Sequence, residues 1–394
     1  MEIKSFNGLR SDRPVERFDP ADLSIATNVD IDNSGAISRR DGYAIVGSVP
    51  AGAKHSLWAD DSGTIGLYVS GTVLYSIAGV ALLTGLTAGL PMAYHRELDR
   101  VYFSNGAQSG VLDNGVVRSW GLPVPTTPAV TLTVGNMPAG GYQFTLTYFR
   151  NDGQESGAAL SGRVAVPEGG GLVFTLPVSS DPTVTTKGVY LSTPNGDVKY
   201  LALVVPNATT SVSYTNDAKE LVTPLITQFL SGPPAGHLIR SYRGQVYVAV
   251  DDTLYPSEPY AYELFDLRNG IPLDGRVALF EALDDVDGSG VFVGTDRTCG
   301  ILVGKGPADF EYVKKTAYGA IVGTSVRVDG SLYGDNSLGA RQLPVWQTTQ
   351  GVCVGLPKMS IRNLTRTRYT VAATGRGAGI FIPASNRLIL TSNL

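Results

Sequence analysis

Short apolar stretches, each closed by a tight-turn sequence, most restrict how this chain can fold. In the first 125 residues, SLWAD, TIGLYVS and RVYFSN end at Asp-Ser-Gly, Ser-Gly or Asn-Gly. Side chains alternate across a strand, and glycine supplies the dihedrals that tight turns need. Glycine occurs 47 times and proline 23 times, only 17% of residues are charged, and no amphipathic helical stretch stands out. We therefore predict an all-β fold.

Changes in sequence texture divide the chain into three segments. Residues 1–125 and 223–394 share a recurring pattern of strand, turn and aromatic-containing strand. Repetition without a strict period is typical of β-propeller blades. The proline-rich stretch GLPVPTTP separates the first segment from residues 126–222, whose length suits a β-sandwich of roughly 100 residues. We predict a β-propeller-like domain in two parts, 1–125 and 223–394, with an immunoglobulin-like sandwich inserted at 126–222. The alternative is a sandwich module that stands between two separate β domains.

The stretch ATNVDIDNSGAISRRDGY, from Ala26 to Tyr43, predicts a β-hairpin with one half-buried face. It resembles a signature near the N-terminus of phage tail proteins, A-x-N-V-D-I-D-x-x-G-x-I-x-R-R-x-G-Y. The family in question is the nozzle or tail-tube ring protein of short-tailed phages. Arg39-Arg40 followed by Gly42-Tyr43 is the most distinctive part of the match.

Later stretches resemble the same family in the same order. The matching stretches are Arg243–Ala249 (RGQVYVA), Leu254–Pro259 (LYPSEP), Phe265–Asp266, Val293–Thr295 (VGT), and Val345–Thr348 followed by Ile361–Thr365. The middle segment resembles a fibronectin type III sandwich in YQFTLTY followed by NDGQES, and in GVYL followed by an Asn-Gly hairpin.

The resemblance implies an architectural rather than a catalytic protein. It implies a structural virion protein that forms a homo-oligomeric ring, sixfold by analogy, as a tail nozzle or tail-tube extension prolonging the portal and adaptor channel. Its partners would be copies of itself, portal-adaptor or other tail proteins, and tail fibres. DNA would pass through the lumen without specific binding. The implied location is the virion tail, after assembly in the host cytoplasm. The alternative is a carbohydrate-binding or glycan-cleaving propeller that acts as a phage receptor-binding protein.

Charge is unevenly distributed along the chain. From Asn336 onward there are seven basic residues and no acidic one, so this segment carries +7 and the rest −11, because the total is −4. Regions of opposite sign suit stacking against copies of the chain or another charged ring. A basic solvated face is the alternative. The candidate interface residues are Arg39, Arg40, Arg362, Arg366, Arg368 and Arg376.

Two aspartate-rich loops match the spacing of a calcium-binding loop. The first contains Asp30, Asp32, Ser34 and Asp41, and the second contains Asp285, Asp287, Ser289 and Asp296. Calcium favours several oxygens from one loop, with glycine at the sixth position. The twelfth position carries aspartate instead of a bidentate glutamate, and no helix is expected beside either loop. We therefore favour hairpin turns in which Asp and Ser cap their own backbone, and expect no metal or other cofactor.

Motifs for catalysis are sparse, and we expect no enzyme activity. There are three histidines and no Gly-x-Ser-x-Gly elbow. Glycoside hydrolysis needs only two carboxylates, for which Asp60, Asp99 or Glu281 are candidates, although surface turn carboxylates are the favoured interpretation. The three tryptophans are expected to fill the core, with a sugar-binding face as the alternative.

The remaining expectations concern the cellular compartment. Cys299 and Cys353 are too few for a disulfide framework and predict buried thiols in a reducing cytoplasm. The start MEIKSFNGLR lacks the apolar core of a secretion signal, so we expect no signal-peptide route. The uncharged stretch Ser76–Tyr94 contains three glycines and one proline. It therefore predicts a hairpin instead of a membrane span, and we expect no stable membrane insertion.

Overall fold

Antiparallel β-strands joined by tight turns dominate the chain in the computed structural model. The structure describes residues 5–32, 34–40, 42, 50–60, 62–283, 290–333, 338, 341–366, 368–369 and 375–392. Within these ranges there are only short 3-10 turns and no α-helix, so the all-β prediction is confirmed. None of the described helical turns has the length and apolar character needed to cross a membrane. The chain forms two compact units, residues 1–51, 251–254 and 271–394, and residues 52–250 and 255–270.

The N-terminal strands and the first two sheets are short. The strands are β1 (Gly8–Leu9), β2 (Asp22–Leu23), β3 (Val29–Ile31), β4 (Ile37–Arg39), β5 (Lys54–Ala59), β6 (Gly66–Ser70), β7 (Val73–Ser76), β8 (Ala81–Leu83), β9 (Ala93–Glu97), β10 (Arg100–Ser104), β11 (Ser109–Asp113) and β12 (Val116–Arg118). β5–β8 and β9–β12 are four-stranded antiparallel meanders, and β3–β4 is a two-stranded hairpin. The hairpin predicted after Ser76 is confirmed as β7–β8.

The first two meanders pack against each other through apolar and aromatic side chains. The Trp58 ring stacks on the Tyr94 ring, with the centroids 5.5 Å apart. Leu67 of β6 and Val101 of β10 are fully buried in the same cluster. Each meander therefore contributes one apolar face to a shared core, since an isolated sheet cannot bury its apolar side.

Seven strands of the middle segment form two sheets. They are β13 (Ala129–Met137), β14 (Gly140–Arg150), β15 (Gly162–Val166), β16 (Gly170–Thr175), β17 (Val184–Ser192), β18 (Lys199–Pro206) and β19 (Ser211–Tyr214). The orders are β13-β16-β19 and β15-β14-β17-β18. The sheets share one core, in which the Phe144 and Phe174 rings meet edge to face at 5.6 Å. The two-sheet sandwich is present, but its first strand pairs with its fourth, unlike the ABED sheet of immunoglobulin domains.

The outer edge of the larger sandwich sheet is also paired. Residues 223–225 pair with β18, since the Leu201 N–H donates to the Thr223 carbonyl and the Leu225 N–H to the Lys199 carbonyl, both at 2.8 Å. On the neighbouring strand β17, the Tyr190 hydroxyl donates to Glu155 Oε1 at 2.7 Å. Burial raises the pKa of the Glu155 carboxyl above its ordinary value. The chain leaving the sandwich is therefore part of it.

A third meander follows the sandwich. Its strands are β20 (Leu238–Tyr242), β21 (Gln245–Val250), β22 (Thr253–Glu258) and β23 (Ala261–Phe265). Trp120, which precedes the sandwich, packs on Tyr102 of β10 and on Phe265 of β23, and its Nε1–H donates to the Tyr262 carbonyl at 2.8 Å. The meanders on either side of the sandwich thus share a core of their own. Gly121 and Gly232 lie side by side, and a Cβ on Gly121 would stand 2.7 Å from the Gly232 Cα.

The C-terminal part adds two more meanders and a hairpin. The strands are β24 (Ile271–Pro272), β25 (Val277–Leu283), β26 (Gly290–Thr295), β27 (Cys299–Val303), β28 (Glu311–Thr316), β29 (Val326–Asp329), β30 (Gln342–Thr348), β31 (Gly351–Leu356), β32 (Ser360–Asn363), β33 (Gly377–Ile382) and β34 (Arg387–Ser392). The meanders are β25–β28 and β29–β32, and β33–β34 is the hairpin. Phe292 and Trp346 lie 5.9 Å apart in the core that joins the two meanders.

One burial pattern recurs in all five described meanders. The second strand of each is buried along most of its length, whereas the fourth strand is largely exposed or half-buried in most of them. A strand that is buried on both faces needs cover from both sides. Sheet-on-sheet packing within each unit provides such cover. The described sheets close neither a barrel nor a propeller, so the propeller arrangement stays a prediction.

Both cysteines are buried free thiols in the C-terminal core. Burial raises the pKa of the Cys299 thiol to about 12 and also raises that of Cys353. The prediction of buried thiols is confirmed.

Candidate interaction surface

The turn between β3 and β4 is held by the carboxylate of Asp32. Its Oδ1 accepts hydrogen bonds from the Ser34 hydroxyl (2.6 Å), the Ser34 N–H (2.8 Å) and the Ala36 N–H (2.9 Å). These bonds, that of the Ser34 hydroxyl first, lower the pKa of Asp32 below its ordinary value. Asp32 therefore caps its own turn, which is the role expected in an ordinary hairpin.

Asp30 connects the first hairpin of the chain to the last. Its Oδ1 lies 3.2 Å from Nε of Arg40, and its Oδ2 lies 3.0 Å from Nη1 of Arg387 at the start of β34. One carboxylate thus binds two guanidinium groups, one from each end of the sequence. Asp30 and Arg40, two residues of the signature, therefore help to join the first hairpin to the last.

The N-terminal segment lies between this hairpin and the candidate arginine Arg368. The Phe6 N–H donates to the Gly35 carbonyl at 2.9 Å. Gly35 has a φ of 81°, and a Cβ there would stand 2.8 Å from the Phe6 backbone, so only glycine fits. At the other side, Arg368 Nη1 donates to the Asn7 carbonyl at 2.6 Å, and the Ser11 N–H donates to the Arg368 carbonyl at 2.8 Å.

The other candidate arginines have different surroundings. Arg362 lies on the edge strand β32, where its Nη1 donates to the Tyr333 hydroxyl at 2.9 Å and its guanidinium lies 5.9 Å from that ring. Arg39 and Arg366 are exposed. Arg376 is half-buried, and burial, together with the nearby Arg276, lowers its pKa. Arg40 and Arg368 thus hold the first unit together, whereas Arg39, Arg362 and Arg366 present charge to solvent.

The two aspartate-rich loops differ in how much of each is described. In the first, Asp30 binds arginines and Asp32 binds its own turn, while Asp41 lies outside the described residues. In the second, Asp285, Asp287 and Ser289 lie outside them, and Asp296 is exposed. Among the described residues, no cluster of three or more His, Cys, Asp or Glu side chains is placed to hold a metal ion.

Comparisons with known proteins name no family for this chain. No family model matches it, and no curated protein matches it. Among solved structures, an extracellular domain of a one-component system from B. thetaiotaomicron is similar, with 12% identity and a TM-score of 0.31. The aligned region covers 85% of this chain and 36% of that one, so the chain spans about a third of the length of the structure it matches.

The carboxylates considered for glycoside hydrolysis are each engaged or solvated. Asp60 is buried and binds the hydroxyls of Ser62 and Thr64, the Ile65 N–H and Arg96. Burial raises its pKa, but these donors together outweigh burial and bring the pKa below its ordinary value. Asp99 is exposed, 4.0 Å from Arg96. Glu281 is buried and accepts from the Ser325 hydroxyl at 2.7 Å and from Arg327 Nε at 3.3 Å.

The tryptophans line no exposed face. Trp120 and Trp346 are buried, and Trp58 is half-buried on its meander. The prediction that they fill the core is confirmed.

A charged cluster that the sequence did not reveal lies in the second unit. Arg100 pairs with Glu263 at 2.8 Å and with Asp113 at 3.0 Å. Arg118 also pairs with Asp113, at 3.0 Å, and with Asp152 of the sandwich at 3.5 Å. These residues come from distant parts of the sequence, so no local pattern announces their meeting.

A second set of contacts extends this cluster into the sandwich. The Ser119 hydroxyl donates to Asp181 Oδ2 at 2.6 Å, while Arg150 donates to the Ser119 hydroxyl at 2.9 Å and to the Thr183 hydroxyl at 3.0 Å. Burial raises the pKa of Asp181, but the hydroxyls of Ser119 and Thr183 outweigh it and lower the pKa overall. An open cleft of about 470 Å³ lies beside Ser119 and Asp181. The contacts fasten the sandwich to the meander that precedes it.

Proposed function

We propose that this chain is a structural subunit of a phage tail, which assembles with further copies of itself into a ring that lengthens the channel for the genome. The first hairpin carries the proposal. Its sequence resembles the family signature, and its Asp30 joins the two ends of the chain through Arg40 and Arg387. A subunit whose two ends are joined by ion pairs is suited to a structural role rather than a catalytic one.

The arrangement of the sheets supports the same role. The described part of the chain contains five meanders with buried second strands and a sandwich between the second and third of them, an order of parts that agrees with the family resemblance. Meanders that cover one another present their outer strands and turns to solvent. Such surfaces are available for contact with neighbouring subunits. Head-to-tail contacts of this kind close into a ring when the rotation per subunit fits.

The exposed arginines give the proposed contact its chemistry. Arg362 and Arg366 lie on and just after the edge strand β32, in a segment without any acidic residue. The remainder of the chain carries the net negative charge. We propose that these guanidinium groups face an acidic surface of the next copy, since opposite charges guide association and fix its register. Tyr333 holds Arg362 in place for this contact.

Negative-stain electron microscopy of the purified chain tests the proposal. Closed rings or stacked tubes are expected for the natural sequence. The double variant Arg362→Glu, Arg366→Glu is expected to yield dispersed particles with an unchanged circular dichroism spectrum. The matched control is Lys314→Glu, Lys315→Glu, which reverses two exposed charges on β28 and should leave rings intact.

Two results would count against the proposed role. Dispersed natural protein that binds glycans on an array would favour the receptor-binding alternative instead. Rings that persist in the arginine variant but are lost in the lysine control would show that Arg362 and Arg366 do not form the contact between subunits.

A further inference from the structure

Among the described residues, the edge strand β13 of the sandwich has no pairing partner on its outer side. On its other side it pairs with β16 over residues Ala129–Val134 and again at Met137, and the Asn136 N–H donates to the Thr215 carbonyl. Residues 131–134 are all exposed, with Leu132 at 53% and Val134 at 86%. Pro128 precedes the strand, and no charged residue occurs between it and Pro138. Proteins normally protect such an edge with charge, proline within the strand or short length, because unpaired backbone groups recruit other strands.

The other outer strands of the same sandwich are protected in these ways. β15 carries Arg163 and is only five residues long. β18 is covered by residues 223–225, which include Pro224. β19 is only four residues long. The lack of protection is therefore particular to β13, which is nine residues long.

The sequence of this edge is the same in both directions. Around Leu132 it reads Val130-Thr131-Leu132-Thr133-Val134. If two copies pair antiparallel about Leu132, valine faces valine, threonine faces threonine and leucine faces leucine. Pairs of β-branched residues and threonine pairs across strands are favourable, and no like charges meet. A strand of this kind fits its own copy.

The apolar side chains of the edge give such a pair something to bury. Val130, Leu132 and Val134 lie on one face of β13 because alternate residues share a face. Val130 packs against the sandwich core, whereas Leu132 and Val134 extend past the covered area. A second copy would bring its own Leu132 and Val134 alongside them and continue the three-stranded sheet into six strands.

From these observations we propose that β13 is a dimerisation edge, where two copies of this chain join their sandwich sheets by antiparallel pairing centred on Leu132. The contact is two-fold and isologous, so it is separate from the head-to-tail contact of the proposed ring. It is small, which makes it reversible and concentration-dependent. The proposal stands whether or not the ring does.

Sedimentation velocity over a hundredfold range of concentration tests the edge. The natural chain is expected to show a doubling of mass, from monomer to dimer or from ring to paired rings. Leu132→Lys places two ammonium groups directly opposite each other and should raise the dissociation constant about tenfold or more. An equal mixture of Leu132→Lys and Leu132→Glu should restore the doubled species, because opposite charges then meet.

Matched variants separate pairing from folding. Val204→Lys changes a side chain of similar exposure on β18, and should leave the doubling intact. If Leu132→Lys fails to fold, the double variant Thr131→Lys, Thr133→Lys replaces it, because residues 131 and 133 face each other in the pair and their ammonium groups would meet. A natural chain that shows no doubling, or a doubling that is equally strong in the lysine variants, would refute the proposal. The double variant Arg362→Glu, Arg366→Glu should abolish rings and leave the doubling, so the two failures are distinguishable.

Discussion

Replacement of Asp30 by alanine is expected to release the C-terminal hairpin from the N-terminal one. The Asp30 carboxylate lies 3.2 Å from Arg40 and 3.0 Å from Arg387, whose side chains are 45% and 46% exposed. Pairs that water reaches contribute about 0.2–1 kcal/mol each. With two such pairs lost, the variant should lower the free energy of unfolding by about 0.4–2 kcal/mol at low salt. In molar salt, where screening acts within about 3 Å, most of this difference should vanish.

Two measurements check this expectation. Urea unfolding at low and high salt gives the loss of stability, and hydrogen exchange of residues 377–392 shows whether it is local to β33–β34. A double-mutant cycle with Arg387→Ala isolates the pair. Asp99→Ala is the control, because Asp99 is almost fully exposed and its ion pair with Arg96 is long, at 4.0 Å. Unchanged exchange in β33–β34, or a loss that does not depend on salt, would refute the reasoning.

Three further predictions follow from burial and packing. Burial raises the pKa of Glu155 in the folded state, so ionisation of this carboxyl lowers the stability of the folded state as the pH rises. Glu155→Gln should therefore raise the free energy of unfolding at mildly alkaline pH and have little effect in acid, as measured by urea unfolding. A Cβ at Gly157 would lie 1.7 Å from a backbone oxygen, so Gly157→Ala should cost more than about 3 kcal/mol, whereas Gly306→Ala, in open space, should be neutral in thermal melts. Cys299 and Cys353 should react with a thiol reagent only on unfolding, and rapid labelling of native protein would contradict their burial.

Local sequence chemistry predicted the elements of this fold well. The Asp32 turn follows from Asp, Ser and Gly at fixed spacing, whose hydrogen bonds span only four residues. The all-β class follows from strand alternation and turn residues. The buried thiols follow from the scarcity of cysteine.

Long-range pairing could not be predicted in the same way. Asp30 and Arg387 are separated by almost the whole sequence, and Arg100 and Glu263 by the entire sandwich. The pairing of β13 with β16, in place of its neighbour β14, likewise depends on tertiary packing. The burial of Lys187 could not be predicted from the sequence either, because its ammonium group donates hydrogen bonds to the carbonyls of Pro177 and Thr209. No periodic pattern encodes these choices.

The sandwich is joined to the meanders at two adjacent glycines, so this domain can be exchanged in evolution. Gly121 and Gly232 touch, so the chain leaves the meanders and returns to them at one point. Trp120 already joins β9–β12 to β20–β23 without any residue of the sandwich. The sandwich together with its paired exit, residues 126–225, could therefore be lengthened, replaced or deleted in evolution while the underlying sheets keep their contacts. The sandwich, and with it the partners that the protein binds, can therefore vary without a change in the meanders β9–β12 and β20–β23.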